Sequence, residues 1–439
     1  MKWNRVFALL GCVVPAAWAQ YAGPAILSRG EAPAAMSTPT IDFRPYLSVT
    51  GVYDTGLAGV AVTNTGALAD SSAYGVELSG GISGTHSWRH TKVGLDYSGS
   101  ITHYSRKTFY DGGSQSLYLS VIHQLSRHTT LSLRETAGLF SRDSGFLGLP
   151  QTIAYDPLTA NVPTTDFFDN RTVYASTQAD LTFQKSARLS FDIGGDGFIT
   201  RRRSSALYGV IGAVARGDVQ YRLSRRSTIG ANYMYTHFEF NHIFSSTDVH
   251  ALNLTYAVRL TRDVEFTAYA GVARAENKFE QSVPLDPVIA ALLGISSLPR
   301  VVHNTAWEPN VMARLSRTFH RGVVYASGSH LVTPGNGLFL TSYATTLGAG
   351  YGYTGFRRWS FNVGTDYTRS QSVGNIVGTY ADLDGTISMS RQLARSVHIL
   401  ASFTARQYHS GNYENYNRVI YTGRIGLGFT PGNIPLRIW

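Results

Sequence analysis

The sequence predicts an all-β protein: a transmembrane antiparallel β-barrel of about 18 strands, with 16 as the lower count. Three observations predict it. Apolar and polar residues alternate at period 2 over runs of about ten residues, the length of a tilted membrane-crossing strand. The connections alternate between short turns and long polar segments, as in barrels of this type. Only 15% of the 439 residues are charged and only 43% are apolar, while Tyr (26) and Gly (44) are abundant. That balance is unusual for a soluble enzyme. No stretch after the leader approaches the ~20 apolar residues of a membrane helix.

The N-terminus is read first. Met1 to Arg5 is basic, Val6 to Trp18 is mostly apolar, and Ala17-Trp18-Ala19 forms an A-x-A cleavage site. Residues 1–19 are therefore expected to be a secretory signal peptide. A rival lipoprotein signal, Leu9-Leu10-Gly11-Cys12, has a very short apolar run before it. Cys12 is the single cysteine, so cleavage after Ala19 leaves no disulfide and no thiolate metal ligand. Residues 20–41, with Pro24, Pro33 and Pro39, read as a flexible periplasmic lead-in, and 42–439 as the barrel.

Within the barrel the alternation is explicit. Val93, Leu95, Tyr97 and Ile101 oppose Gly94, Asp96, Ser98, Ser100 and Thr102. Val173, Ala175, Ala179, Leu181 and Phe183 oppose Tyr174, Ser176, Gln178, Asp180 and Thr182. Trp359, Phe361, Val363 and Tyr367 oppose Ser360, Asn362, Gly364 and Asp366. Short turns such as Leu223-Ser224-Arg225-Arg226-Ser227 and Leu260-Thr261-Arg262-Asp263 are often about 38 residues apart, one hairpin per repeat. Longer segments, among them 143–170, 241–248, 279–300 and 409–416, lie between them. An even strand count places both termini on the side of the short turns, the periplasm. A soluble β-sandwich or propeller is the competing reading. Its strands average five to six residues, and it does not call for aromatic residues at strand ends such as Trp359 and Tyr367.

The last strand narrows the comparison. Tyr421, Gly423, Ile425, Leu427 and Phe429 form one apolar face, and Gly426-Leu427-Gly428-Phe429 resembles the terminal signal read by the barrel-assembly machinery. Phe429 and Trp439 are the two candidate signal aromatics, because ten residues follow Phe429. Across 42–439 the chain resembles the porin-like outer-membrane barrels of Gram-negative bacteria, and among them the β-barrel porin 2 group associated with exopolysaccharide export. The resemblance implies residence in the cell outer membrane, contact with its lipid and with the assembly machinery, and a cargo of polysaccharide or small polar solutes.

Parity assigns the lumen. Lys92, Arg134, Arg216, Arg222, Arg259, Arg314, Arg406 and Arg424 fall opposite the apolar stripe. So do Glu77, Asp96, Asp180, Asp192, Asp196, Asp218, Glu265, Asp366, Asp382 and Asp384. Eight cations against ten carboxylates are no single-sign ladder, which disfavours an arginine-lined exporter of an acidic polymer. Inward Tyr118 and Tyr174 fit a girdle better than a sugar-stacking site. Of 38 basic residues only 5 are Lys. Many Arg sit in the short turns, suited to anionic headgroups or to a mouth that collects polyanions. Segments 143–170 and 284–297 are candidates to narrow the pore, the competing reading of the second being a packed loop helix without a transport role. In the second, Asp286 and Pro287 would cap and start a short apolar helix.

Chemical motifs are weak. Gly350-Tyr351-Gly352-Tyr353-Thr354-Gly355 lies in strand pattern without a following helix. His86 and His90 lack the glutamate of a zinc motif. Basic residues are spread around the barrel, so nucleic acid is not an expected partner. The expectation is a channel with no catalytic residues, no metal and no cofactor. The alternatives are a barrel enzyme using a rim histidine (His103, His237, His250, His330 or His409) and a plugged structural or adhesive barrel.

Overall fold

The computed structural model describes residues 41–57, 72–106, 111–140, 171–203, 207–284, 297–335, 340–353, 358–373, 379–410 and 418–431. Residues 1–19, read as a signal peptide, the lead-in to residue 40, segment 143–170, the apolar stretch 285–296 and Trp439 lie outside them.

Eighteen strands follow one another: β1 (Ile41–Asp54), β2 (Ala73–Ser87), β3 (Thr91–Tyr104), β4 (Gly112–Gln124), β5 (Thr129–Phe140), β6 (Thr172–Gln184), β7 (Leu189–Arg202), β8 (Val210–Arg222) and β9 (Ser227–Phe240); then β10 (Ser245–Arg259), β11 (Val264–Pro284), β12 (Ser297–Phe319), β13 (Gly322–Thr333), β14 (Ser342–Tyr353), β15 (Trp359–Ser372), β16 (Thr379–Gln392), β17 (Val397–Ser410) and β18 (Arg418–Phe429). Each pairs antiparallel with its sequence neighbours. β1 also pairs with β18, from Leu47↔Phe429 to Asp54↔Thr422, so the sheet closes. Closure gives every strand a partner on both sides, the condition for a sheet to sit in hydrocarbon. Among the described residues there is no helix.

The count of 18 replaces the alternative of 16. Strand lengths differ from the expected ten residues: β13 has 12 and β12 has 23. β11 and β12 absorb both ends of the segment read as a 279–300 loop and stay paired up to Pro284↔Ser297. The segment read as a 241–248 loop shrinks likewise, because β10 begins at Ser245. Alternation was the only length cue in the sequence, and beyond the bilayer both faces of a strand turn polar, so the pattern fades while the hydrogen bonds continue.

Faces separate cleanly. On β10, Leu252 and Leu254 are 64% and 67% exposed, while Asn253 and Thr255 between them are 3% and 1%. Nearly every large exposed apolar side chain in the strands belongs to the outward set, from Leu47 on β1 to Phe429 on β18. Aromatic residues mark the rims: Trp359 stacks on Phe361 and lies under Arg391, whose Cζ is 5.0 Å from the ring centroid. This is the build of an outer-membrane barrel. One outward carboxylate interrupts the band: Glu135, between Leu133 and Ala137, accepts a hydrogen bond from Thr177 Oγ1 at 2.6 Å.

Candidate functional site: the lumen wall and an inward-folded hairpin

The inward positions carry the sequence-derived charges, and register determines which of them meet. On β5 to β8, Arg216 is the centre. Its Nε donates to Asp180 Oδ1 at 3.1 Å, its Nη2 contacts the same oxygen, and its Nη1 donates to Asp196 Oδ2 at 2.9 Å. Asp180 lies two strands away, across β7. The bridge is open because Gly194 stands between them, facing Asp180 on one side and Arg216 on the other. A Cβ there would fall 2.0 Å from Asp180 Oδ1. Gln178 donates to Asp180 at 3.0 Å, and Arg134 reaches Gln178 at 3.5 Å.

Below this cluster a polar belt follows the register around the wall. Thr182 donates to Asp192, Asp192 faces Asp218, and Asn232 donates to Asp218 at 3.0 Å. Asn253 donates to Asn232 at 3.1 Å, and Asn310 donates to Asn253 at 2.9 Å. The last bond also skips a strand. Gly271 on β11 faces both Asn253 and Asn310, and a Cβ on it would meet Leu252 O at 1.9 Å.

A second charged group lines β15 to β2. Asp366 faces Asp384, Asp384 faces Arg406, and Arg406 Nε lies 3.9 Å from Asp382. Arg424 Nε approaches Glu77 at 3.7 Å across β1. In a closed ring of 18 strands β7 stands opposite β16, so the two groups face one another across the lumen. Arg259 and Glu265 face each other at the short-turn end, and Arg314 lies over the Tyr325 ring, 5.6 Å from its centroid. Lys92 and Asp96 sit on the inward face of β3.

The long-loop half of the wall is different. Phe198, Val210, Val214, Phe238, Phe240, Val249, Ala251, Ala273 and Ala275 point inward and form one apolar cluster. What packs on it is the β13–β14 hairpin. Val332 and Leu340 lie against the cluster, and Thr341 Oγ1 bonds Thr247 Oγ1 on β10 at 2.5 Å. The Tyr343 hydroxyl bonds Glu308 on β12, and His330 Nε2 stands 4.0 Å from the same carboxylate. Pairing of β13 with β12 stops at His330, whereas pairing with β14 continues to Thr333↔Ser342. β13 therefore parts from β12 at the mouth, and the hairpin, still paired to β15 as far as Ser342↔Ser372, folds inward. Val332 and Tyr343, outward by parity, are turned against the inner face of β10 to β12. Gly335, at φ 69°, helps form the turn.

Sequence reasoning named the charges but not the asparagines of the belt, the glycine windows or this hairpin. Inward parity at Asn232, Asn253 and Asn310 was a usable signal. The hairpin had none, because its outward residues look like a lipid face. Among the rim histidines, His103 Nδ1 bonds Asp111 at 2.5 Å and His330 Nδ1 bonds the Thr345 hydroxyl at 2.8 Å. His237 Nδ1 bonds Asp248 at 2.8 Å, but its Nε2 faces Glu239 at 3.3 Å rather than a hydroxyl nucleophile.

No protein-family model and no curated sequence matches the chain. Solved structures similar to it include OpdQ of Pseudomonas aeruginosa, at 10% identity and a TM-score of 0.41 over 90% of this chain and 98% of that one. OccK2 (OpdF) of the same organism has 11% identity and a TM-score of 0.41 over 89% and 97%. OccAB4 of Acinetobacter baumannii has 11% identity and a TM-score of 0.39 over 89% and 98%.

Proposed function

We propose that this chain is an outer-membrane channel that passes small polar solutes by hydrated diffusion. One observation carries the reading: a closed barrel with an apolar outer face holds two opposed mixed-charge groups on its inner face, with a hairpin folded into its mouth. Such a lumen offers donors and acceptors of both signs to a solute. No step of bond making or breaking is involved. The polysaccharide cargo implied by the sequence resemblance gains nothing from this arrangement, since a folded-in hairpin narrows the path a polymer would need.

The test is conductance of the refolded chain in a planar bilayer. A stable ohmic current is expected, with a reversal potential under a salt gradient showing mild cation preference, because inward carboxylates outnumber inward cations. Small neutral and zwitterionic solutes should reduce the current more than an acidic oligosaccharide. Absence of current in a correctly folded barrel would reject the reading in favour of a plugged wall.

A further inference from the structure

We propose that the inner wall of β6 to β8 holds a hard cation, bound between Asp192, Ser190 and the facing Asp218. Asp192 is 2% exposed and Ser190 is fully enclosed. Asp192 Oδ1 and Ser190 Oγ have no hydrogen-bond partner among the described residues. Both sit on the inward face of β7, two residues apart, so they line one patch of wall. Directly opposite Asp192 on β8 is Asp218, 3% exposed. Facing residues of antiparallel strands have Cβ atoms about 4.5–5.5 Å apart, so the two carboxylates share one space.

Two buried carboxylates at that separation repel one another unless a positive charge lies between them. The nearest guanidinium, Arg216, is shared: it is held by Asp180 and Asp196 and also lies within electrostatic reach of Asp192. Arg222, lower on β8, turns its Nε to the Ser224 carbonyl at 3.2 Å. Arg202 lies ten residues up β7. On β5 to β8 around the patch, Asp180, Asp192, Asp196 and Asp218 face the two cations Arg134 and Arg216. The donors on offer are carboxylate and hydroxyl oxygens, with the Thr182 hydroxyl already bonded to Asp192. Oxygen donors without imidazole or thiolate suit an alkaline-earth ion such as calcium, which completes its shell with water.

The site does not depend on the channel reading, and its test uses stability rather than current. The full chain is refolded in detergent, stripped with a chelator, and melted with and without calcium chloride while β-structure is followed. Calcium should raise the midpoint by several degrees and saturate, as a ligand of the folded state does. Calorimetry on the unaltered chain should show one saturable event. Asp192→Asn should abolish the shift, and Ser190→Ala should weaken binding about tenfold, about what one lost oxygen ligand removes. Two results would overturn the proposal. One is no thermal or calorimetric response to calcium or magnesium, with Asp192→Asn as stable as the parent. The other is a shift that survives Asp192→Asn, which places the ion elsewhere.

Discussion

The two halves of the lumen wall are made by the same strands and solve the same problem in opposite ways. Towards the short turns, the inward side chains of β6 to β10 are mostly polar and are linked through Arg216 and the belt from Thr182 to Asn310. Towards the long loops, the same strands turn Phe198, Phe238, Phe240 and Val249 inward, and the β13–β14 hairpin covers them. A barrel wall therefore does not have to be uniformly wet. Polar residues serve where the wall is open, and apolar residues serve where another part of the chain lies on them.

The difference can be broken from either side. Arg216→Ala removes the polar half's centre and leaves Asp180 and Asp196 buried without their cation. The expected loss is about 3–5 kcal/mol of stability, read as a lower midpoint in denaturant titration of the detergent-refolded barrel. Phe238→Ala strikes the apolar half. It should cost about 3 kcal/mol and release the hairpin, so open-channel noise should rise as well. An effect on stability without a change in noise would mean that the hairpin is held by other contacts.

Gly271→Ala tests the window between the asparagines. A Cβ placed 1.9 Å from the Leu252 carbonyl oxygen forces a backbone shift, with an expected cost of about 2 kcal/mol. Asn253→Ala removes two belt hydrogen bonds, but water in the lumen can replace part of them. The cost should be about 1 kcal/mol, and if it equals that of Gly271→Ala the belt is not what the glycine protects.

Much of this was legible in the sequence for a physical reason. Period-2 alternation reports which side of a strand meets hydrocarbon, so Leu252 and Leu254 against Asn253 and Thr255 could be sorted without a structure. The same parity put Asp180, Asp192 and Arg216 on one face. It could not say that Arg216 reaches across β7, because that contact depends on register and on the missing side chain at Gly194. Nor could it find the hairpin. Val332 and Tyr343 obey the outward pattern, yet β13 leaves β12 after His330 and carries them inward. Parity fixes a face of the sheet, and the face is lipid-facing only while the sheet follows the barrel.

The most direct test of the account compares single-channel conductance of the unaltered chain with a variant in which residues 334–341 are replaced by an Asn-Gly turn. The account predicts an ohmic current from the parent and a clearly larger one from the variant, since the tip that carries Leu340 and Thr341 across the mouth is removed. Equal conductances, or a folded parent that passes no current, would contradict it.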